Sequence, residues 1–167
     1  MRRFVAILGV VAILAFAAGP VMARGDEQRP FKGVAQGHGM VVVDLACPHF
    51  GGLRSAFTTA GQASHMGRFA LGFNHCTPTG PYLTGTEMTF VAANGDEVYA
   101  TYTAGPFPVV GEDPEVFDAP VDFVIVGGSG RFEGASGGGH ITLTVAWPGF
   151  APNYWPATLV FEGTIGY

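Results

Sequence analysis

A glycine-rich segment between two alternating apolar runs limits the folds open to this chain of 167 residues. Residues 127–140 hold seven glycines, and glycine weakens the interior of a strand or helix because it loses the most backbone entropy. The flanking residues 121–126 and 141–147 alternate along the chain as half-buried strands do. The segment therefore predicts a tight turn between two antiparallel strands, with Phe132 as an aromatic plug at the end of a small barrel.

The rest of the chain predicts short strands and no helix, because period-two alternation dominates from residue 31 onward. Asn94-Gly95 is the strongest hairpin signal, since both residues accept positive φ. Short strands without covering helices need closure to remove their edges. We therefore predict an all-β fold, a small closed antiparallel β-barrel of about eight strands, with a β-sandwich as the alternative. The candidate strands are 31–37, 40–46, 55–59, 64–73, 86–92, 97–103, 121–126, 140–147 and 157–165.

The N-terminal residues have the pattern of a secretory leader. Arg2 and Arg3 precede an apolar run, which Gly19-Pro20 ends shortly before small residues up to Ala23. The sequence therefore predicts a signal peptide at 1–23, cleaved near Ala23, then a flexible tail at 24–30 and a single barrel domain at 31–167. The expected location is secreted or periplasmic.

Charge and composition argue against several classes of partner. The formal net charge is −5 and no basic stripe is present, so we expect no nucleic-acid partner. An eight-stranded outer-membrane barrel is a less favoured alternative, because the strands are short, prolines are frequent and the outward faces lack a continuous apolar band. We expect no stable membrane insertion and no cofactor. The oligomeric state is left open.

Three motifs carry a family resemblance. Residues 127–137 resemble the G-G-T-G-R-F-x-G-A-x-G signature of allene oxide cyclase/dirigent-type β-barrels and their secreted bacterial relatives. Residues 61–69 resemble the family's G-x-A-T-H-x-G-R strand, and residues 89–97 its T-x-x-A-A-N-G-D-E hairpin. Ser64 and Ser129 stand where relatives often carry threonine. The resemblance implies a closed eight-stranded barrel, and no functional residue of the family can be matched to this chain.

The two cysteines, Cys47 and Cys76, predict a disulfide, because an exported protein meets an oxidising environment. The alternative is a metal site of Cys47, His49, His75 and Cys76, which is an acceptable ligand set for zinc or copper. The spacing matches no known zinc motif. We therefore prefer the disulfide and predict no metal.

His65 is the single candidate for a catalytic group. It has the strand parity of Gly67 and Phe69, so it is expected to face the core. A lone buried imidazole is most often a hydrogen-bonded core residue. No G-x-S-x-G elbow, P-loop or dinucleotide fingerprint is present, so an enzymatic role is left open rather than predicted.

Two functions remain. The first is an exported, non-enzymatic barrel that binds a small apolar or aromatic ligand, or a partner, at a barrel mouth, with Phe132, Tyr154 and Trp155 as candidate ligand-binding residues. The second follows from the family resemblance and is an isomerase, a cyclase or a dirigent-like stereochemical guide. It would need polar groups inside the barrel.

Overall fold

The structure is a computed structural model that describes residues 27–47, 53–76, 83–105, 116–146 and 154–167. These residues form eight strands and one 3-10 turn, Gly130–Phe132, with no α-helix among them. The strands are β1 (Arg29–Val43), β2 (Leu53–Ala63), β3 (Gly67–Cys76), β4 (Leu83–Ala92), β5 (Glu97–Ala104), β6 (Val116–Gly128), β7 (Ser136–Ala146) and β8 (Tyr154–Gly166).

The strands form a closed antiparallel barrel in which each strand pairs with its neighbours in sequence. Closure lies between β1 and β8, where Ala35 stands opposite Leu159. Because closure pairs the first strand with the last, the sheet has no free edge. The predicted closed barrel of about eight strands is confirmed, and the sandwich alternative is wrong.

Alternate side chains of each strand point inward and fill the barrel with aromatic rings. Phe31 is fully buried, and its ring centroid lies 5.8 Å from that of Phe90, 6.3 Å from that of Phe123 and 5.3 Å from that of Phe161. Burial of one such side chain stabilises a fold by about 1.5–3 kcal/mol. The middle of the barrel is therefore a packed core.

The 3-10 turn closes one end of the barrel, called here the Phe132 end. The Phe132 side chain is fully buried, and its ring packs edge-on against Tyr167 with centroids 5.0 Å apart. Arg131 fixes the turn, because its guanidinium donates a hydrogen bond of 3.3 Å to the Met66 carbonyl and lies 3.4 Å from the Asp96 carboxylate. The opposite end, where β1, β3, β5 and β7 finish, is called the disulfide end.

β1 is one continuous strand where the sequence predicts two. Its central glycines indicated a break, but the structure uses them for close packing. A side chain at Gly37 would overlap the Thr58 carbonyl, and one at Gly39 would meet the ring of Phe57. These glycines are therefore required by atoms of the adjacent strand β2 rather than by a turn.

The glycine-rich segment also departs from the prediction. β7 begins at Ser136, so residues 136–140 belong to a strand and not to the turn. A side chain at Gly139 would overlap the backbone of Glu162 and Gly163 on β8. Close approach of the two strands therefore explains this glycine, which the sequence pattern alone assigned to a turn.

The hairpin predicted at Asn94-Gly95 is confirmed, with a different backbone conformation. Gly95 has φ of 89°, whereas Asn94 does not adopt positive φ. The Gly95 N–H donates a hydrogen bond of 2.9 Å to the Ala92 carbonyl, and the Ala92 N–H donates one of 2.8 Å to the Asp96 carbonyl. The connection is a longer hairpin loop in which only the glycine is left-handed.

The first described strand begins at Arg29, inside the predicted tail, because Arg29 and Pro30 pair with β8. The predicted signal peptide lies outside the described residues and stays a prediction. No helix in the described ranges is long and apolar enough to span a membrane.

Candidate functional site

Four polar side chains lie on the inward faces of neighbouring strands at the disulfide end. Ser55 stands opposite His75 across β2 and β3, and Thr86 stands opposite Tyr102 across β4 and β5. Ser55 and Tyr102 are buried, whereas His75 and Thr86 are partly buried. Buried polar groups cost free energy unless they are hydrogen-bonded, so the partners of these side chains determine what they cost the fold.

His75 and Tyr102 form a hydrogen-bonded pair inside the barrel. The Nδ1 atom of His75 lies 2.8 Å from the Tyr102 hydroxyl oxygen, and the Tyr102 side chain is only 3 % exposed. Thr86 stands beside the phenol on β4. The pair therefore occupies a fixed position between β3 and β5.

Burial changes the acid–base behaviour of both groups. Desolvation, with a smaller effect of the Arg54 charge, lowers the pKa of His75 from 6.5 to about 4. Desolvation raises the pKa of Tyr102 well above its usual value, against a lesser opposing effect of the neighbouring Thr86 hydroxyl. Because burial penalises a charged imidazole or phenolate, both groups are neutral at pH 7.

Aromatic rings surround the polar pair. The rings of Phe57 and Phe73 stack nearly parallel with centroids 4.7 Å apart, and Trp155 lies 6.4 Å from Phe57. Tyr102 packs edge-on against Phe73 at 5.6 Å. The interior at this end is therefore apolar, with a few directional polar groups, which is the composition of many small-molecule sites.

A charged cluster borders the site on the outside. Arg54 donates a hydrogen bond of 2.6 Å to the Asp44 carboxylate and another of 2.8 Å to the Asn74 side chain. The Arg54 hydrogen bond and the Ala46 N–H lower the pKa of Asp44. The guanidinium is thereby held on the outer face and paired with a carboxylate, and its charge reaches His75 only as the smaller of the two causes of the lowered pKa.

The predicted disulfide between Cys47 and Cys76 is confirmed, with Cα atoms 5.3 Å apart. It joins the segment after β1 to the end of β3, directly beside His75. Both thiolates of the alternative metal site are consumed by this bond, and His49 lies outside the described residues. Within the described ranges, no three His, Cys, Asp or Glu side chains are grouped to hold a metal ion.

His65 does not occupy the strand position that its parity predicted. It lies in the turn between β2 and β3, with φ of 68°, and β3 begins only at Gly67. Its ring packs edge-on against Tyr167 with centroids 6.3 Å apart. His65 is therefore at the Phe132 end, across the barrel from His75, and the prediction of an inward strand histidine is wrong.

The three predicted ligand-binding residues do not form one site. Phe132 is at the Phe132 end, whereas Tyr154 and Trp155 begin β8 at the disulfide end. Tyr154 is 49 % exposed and stacks on His38 outside the barrel at 4.4 Å, and Trp155 points inward. Of the three, only Trp155 lies among the aromatic side chains around the His75–Tyr102 pair.

Sequence reasoning missed Tyr102, Ser55 and Thr86, and it named His75 only as an alternative metal ligand. The signal was present in the parity of the strands. His75 follows Phe73 by two positions, and Tyr102 follows Ala100 by two, so each shares the inward face of its strand. What parity does not give is the register across strands, which brings the two side chains together.

Comparison with known proteins gives one similar structure. No protein-family model matches the chain, and no curated protein matches its sequence. A solved structure of the pterocarpan synthase dirigent protein GePTS1 is 15 % identical, with 93 % of this chain and 99 % of that chain covered and a TM-score of 0.49. The closed eight-stranded barrel implied by the resemblance to allene oxide cyclase/dirigent-type proteins is the fold observed here.

Proposed function

We propose that this protein binds a small, planar, mostly apolar molecule inside the disulfide end of the barrel. The observation that carries the proposal is the hydrogen-bonded His75–Tyr102 pair within an aromatic interior. Toward the Phe132 end, the barrel is filled by phenylalanine rings such as Phe31 and Phe161. A polar pair in the same kind of environment has a desolvation cost that apolar side chains would avoid, which supports a role in recognition.

The two pKa shifts favour binding over acid–base catalysis. A catalytic acid or base works best when its pKa lies near the operating pH. The pKa of His75 is moved down to about 4, and that of Tyr102 is moved further above neutrality. Both groups therefore serve as neutral hydrogen-bonding groups at pH 7, which agrees with a binding protein.

The polar side chains of the outer surface support the proposal that the barrel is surrounded by water. Asp122, His140, Glu162 and Lys32 lie in one row across β6, β7, β8 and β1, and all four are exposed. An outer face that contacts lipid would be apolar at such positions. Together with the disulfide, this row supports the proposal of an exported protein that is not inserted in a membrane.

Binding can be tested with N-phenyl-1-naphthylamine, a neutral aromatic probe whose fluorescence rises in apolar sites. We expect saturable binding by the wild-type protein. Ser55→Leu adds apolar volume beside His75 and should weaken binding by about tenfold or more. Thr58→Leu, on the exposed face of the same strand, is the matched control and should bind as the wild type does. No saturable signal, or equal weakening by both variants, would overturn the proposal.

A stereochemical guide is the second candidate, because a directional hydrogen bond between aromatic walls would fix the orientation of a bound molecule. Oxidation of 2-naphthol by ferricyanide removes one electron and one proton from each of two molecules, which couple to a chiral binaphthol. We expect an enantiomeric excess in the presence of the protein, lost in Ser55→Leu and kept in Thr58→Leu. A racemic product with the wild type contradicts this candidate and leaves the binding proposal to its own test.

A further inference from the structure

We infer that His75 presents its Nε2–H group to the molecule bound at the disulfide end, which selects an uncharged aromatic compound with a hydrogen-bond-accepting oxygen, such as an aryl ketone or a quinone. This inference rests on the proposed binding function and specifies its ligand class. It follows from the geometry of the His75–Tyr102 contact and from the position of the neighbouring charges.

The first step concerns the direction of the hydrogen bond between the two side chains. A phenol O–H is a stronger donor than an imidazole N–H, and an unprotonated imidazole nitrogen is a better acceptor than a phenol oxygen. Tyr102 therefore donates its proton to the Nδ1 atom of His75, which lies 2.8 Å from the hydroxyl oxygen.

The second step concerns the other ring nitrogen. A neutral imidazole carries one proton, and if Nδ1 accepts a hydrogen bond, that proton is on Nε2. The lowered pKa of His75 keeps the ring neutral at pH 7. Among the described residues, no hydrogen bond to Nε2 is found, and the side chain is only partly buried. Nε2–H is therefore a donor that a ligand can use.

The third step concerns the charge of the ligand. The walls of the site are the aromatic rings of Phe57, Phe73 and Trp155. Arg54, the nearby cation, is held outward by Asp44 and Asn74. An anionic acceptor would have to be desolvated without a partner charge, which is costly, so a neutral carbonyl fits better than a carboxylate.

The tautomer can be measured without any ligand. In protein labelled with ¹⁵N at histidine, long-range ¹H–¹⁵N spectra at pH 7 distinguish a protonated ring nitrogen from an unprotonated one. We expect protonated Nε2 and unprotonated Nδ1 for His75. In Tyr102→Phe, which removes the phenolic donor, the signals should shift toward a mixture of tautomers, whereas Tyr99→Phe on the outer face should leave them unchanged. A predominantly Nδ1-protonated His75 in the wild type would overturn the inference.

The ligand class is tested with 9-fluorenone and fluorene, which share a planar shape and differ in one carbonyl oxygen. Dissociation constants are measured by displacement of N-phenyl-1-naphthylamine. A single good hydrogen bond is worth about 1.4 kcal/mol, or about tenfold, so the wild type should prefer fluorenone by about that factor. His75→Leu should remove the preference, and His140→Leu, at an exposed strand position, should retain it.

The outcomes separate the inference from the function on which it rests. If neither compound displaces the probe and the probe itself does not saturate, the proposed binding function fails. If both compounds bind equally well to the wild type, or if His75→Leu keeps the preference for fluorenone, binding stands and the inference fails. Circular dichroism shows whether His75→Leu is folded. If it is not, Tyr102→Phe tests the inference instead, because without the phenolic donor part of the His75 population carries its proton on Nδ1. The preference for fluorenone should then be lower than in the wild type.

Discussion

His75 lies between two environments that both disfavour a protonated imidazole. Its Nδ1 atom is hydrogen-bonded to the buried Tyr102 hydroxyl, and its ring stacks with that of Phe57 at a centroid distance of 6.3 Å. The chain then continues to Cys76, which stands opposite the charged Arg54. A protonated imidazole would lose water on the inner side and meet a positive charge on the outer side. The residue is therefore held neutral by its position at the end of β3.

The stability of the protein should depend on pH through His75. The pKa of this group is about 4 in the fold against 6.5 ordinarily, so between these values the unfolded chain binds a proton that the folded protein does not. The free energy of unfolding should fall as the pH is lowered through this window, by about 2–3 kcal/mol at pH 4.5. Urea unfolding at pH 7 and pH 4.5 measures it.

The matched variants assign this pH dependence to one residue. His75→Gln should reduce the loss of stability between pH 7 and pH 4.5, because the titrating group is gone. His140→Gln removes an exposed histidine of β7 and its pair with Asp122, and because exposed ion pairs contribute little it should keep most of the wild-type loss. Asp44, whose pKa is lowered from 3.8, acts below this window and does not interfere. An unchanged loss in His75→Gln would show that the imidazole is not held neutral in the fold.

The Tyr102 hydroxyl should contribute to stability in a way that Tyr99 does not. Both residues belong to β5, but the hydroxyl of Tyr102 bonds His75 inside the barrel, whereas that of Tyr99 bonds Glu97 on the outer face at 2.6 Å. Tyr102→Phe leaves a buried acceptor unpaired and should lower the free energy of unfolding by about 1–3 kcal/mol. Tyr99→Phe should change it by less than about 0.5 kcal/mol. Equal effects in denaturant titrations would argue against the internal pair.

Alternation along the strands predicts most of this architecture. The inward sets of β6, β7 and β8 follow directly from their sequence, because one face of each strand must be buried. His65 shows where the argument stops. A strand pattern extended backward from Phe69 includes it, but the left-handed backbone at His65 makes a turn. Parity is valid only inside a strand, and the sequence does not show where a strand begins.

Glycines are the second place where sequence reasoning reaches its limit. The Asn94-Gly95 dipeptide predicts a turn, and Gly95 does adopt a positive φ. Gly37 also indicated a break, yet it lies inside β1 and avoids a neighbouring backbone. Only the arrangement of adjacent strands shows this second cause. The site has the same limit. His75 and Tyr102 meet because of the register between strands, and that register cannot be read from a single sequence.

Two strand glycines should respond in opposite ways to alanine. A side chain on Gly37 would overlap the Thr58 carbonyl and crowd Thr59, and a backbone obstacle cannot rotate away. Gly37→Ala should therefore destabilise the barrel by about 1–3 kcal/mol. Gly72 has no atom within 4 Å of the added carbon, so Gly72→Ala should be neutral or stabilise by up to about 1 kcal/mol. Thermal unfolding of the two variants compares them, and a tolerated Gly37→Ala would contradict the close approach of β1 and β2.

At the scale of the whole molecule, the two ends of the barrel are held together by different means. At the Phe132 end, Phe132 packs on Tyr167 while Arg131 bonds the neighbouring turns, so closure comes from side chains of the fold itself. At the disulfide end, the covalent bond between Cys47 and Cys76 ties the segment after β1 to β3. The polar pair lies at the covalently fixed end, so this bond should matter for the site as well as for stability.

Removal of the disulfide should therefore destabilise the protein and weaken binding at the His75–Tyr102 site. The bond spans 29 residues of sequence, and closing a loop of that size restricts the unfolded chain by about 3–4 kcal/mol in the chain-entropy model. We expect a Cys47→Ser, Cys76→Ser double variant to lose about that much in urea unfolding, and the wild type under dithiothreitol to match it. Weaker binding of N-phenyl-1-naphthylamine should accompany the loss under conditions where the variant is still folded. If the folded variant binds the probe as tightly as the wild type, the disulfide stabilises the chain without organising the site.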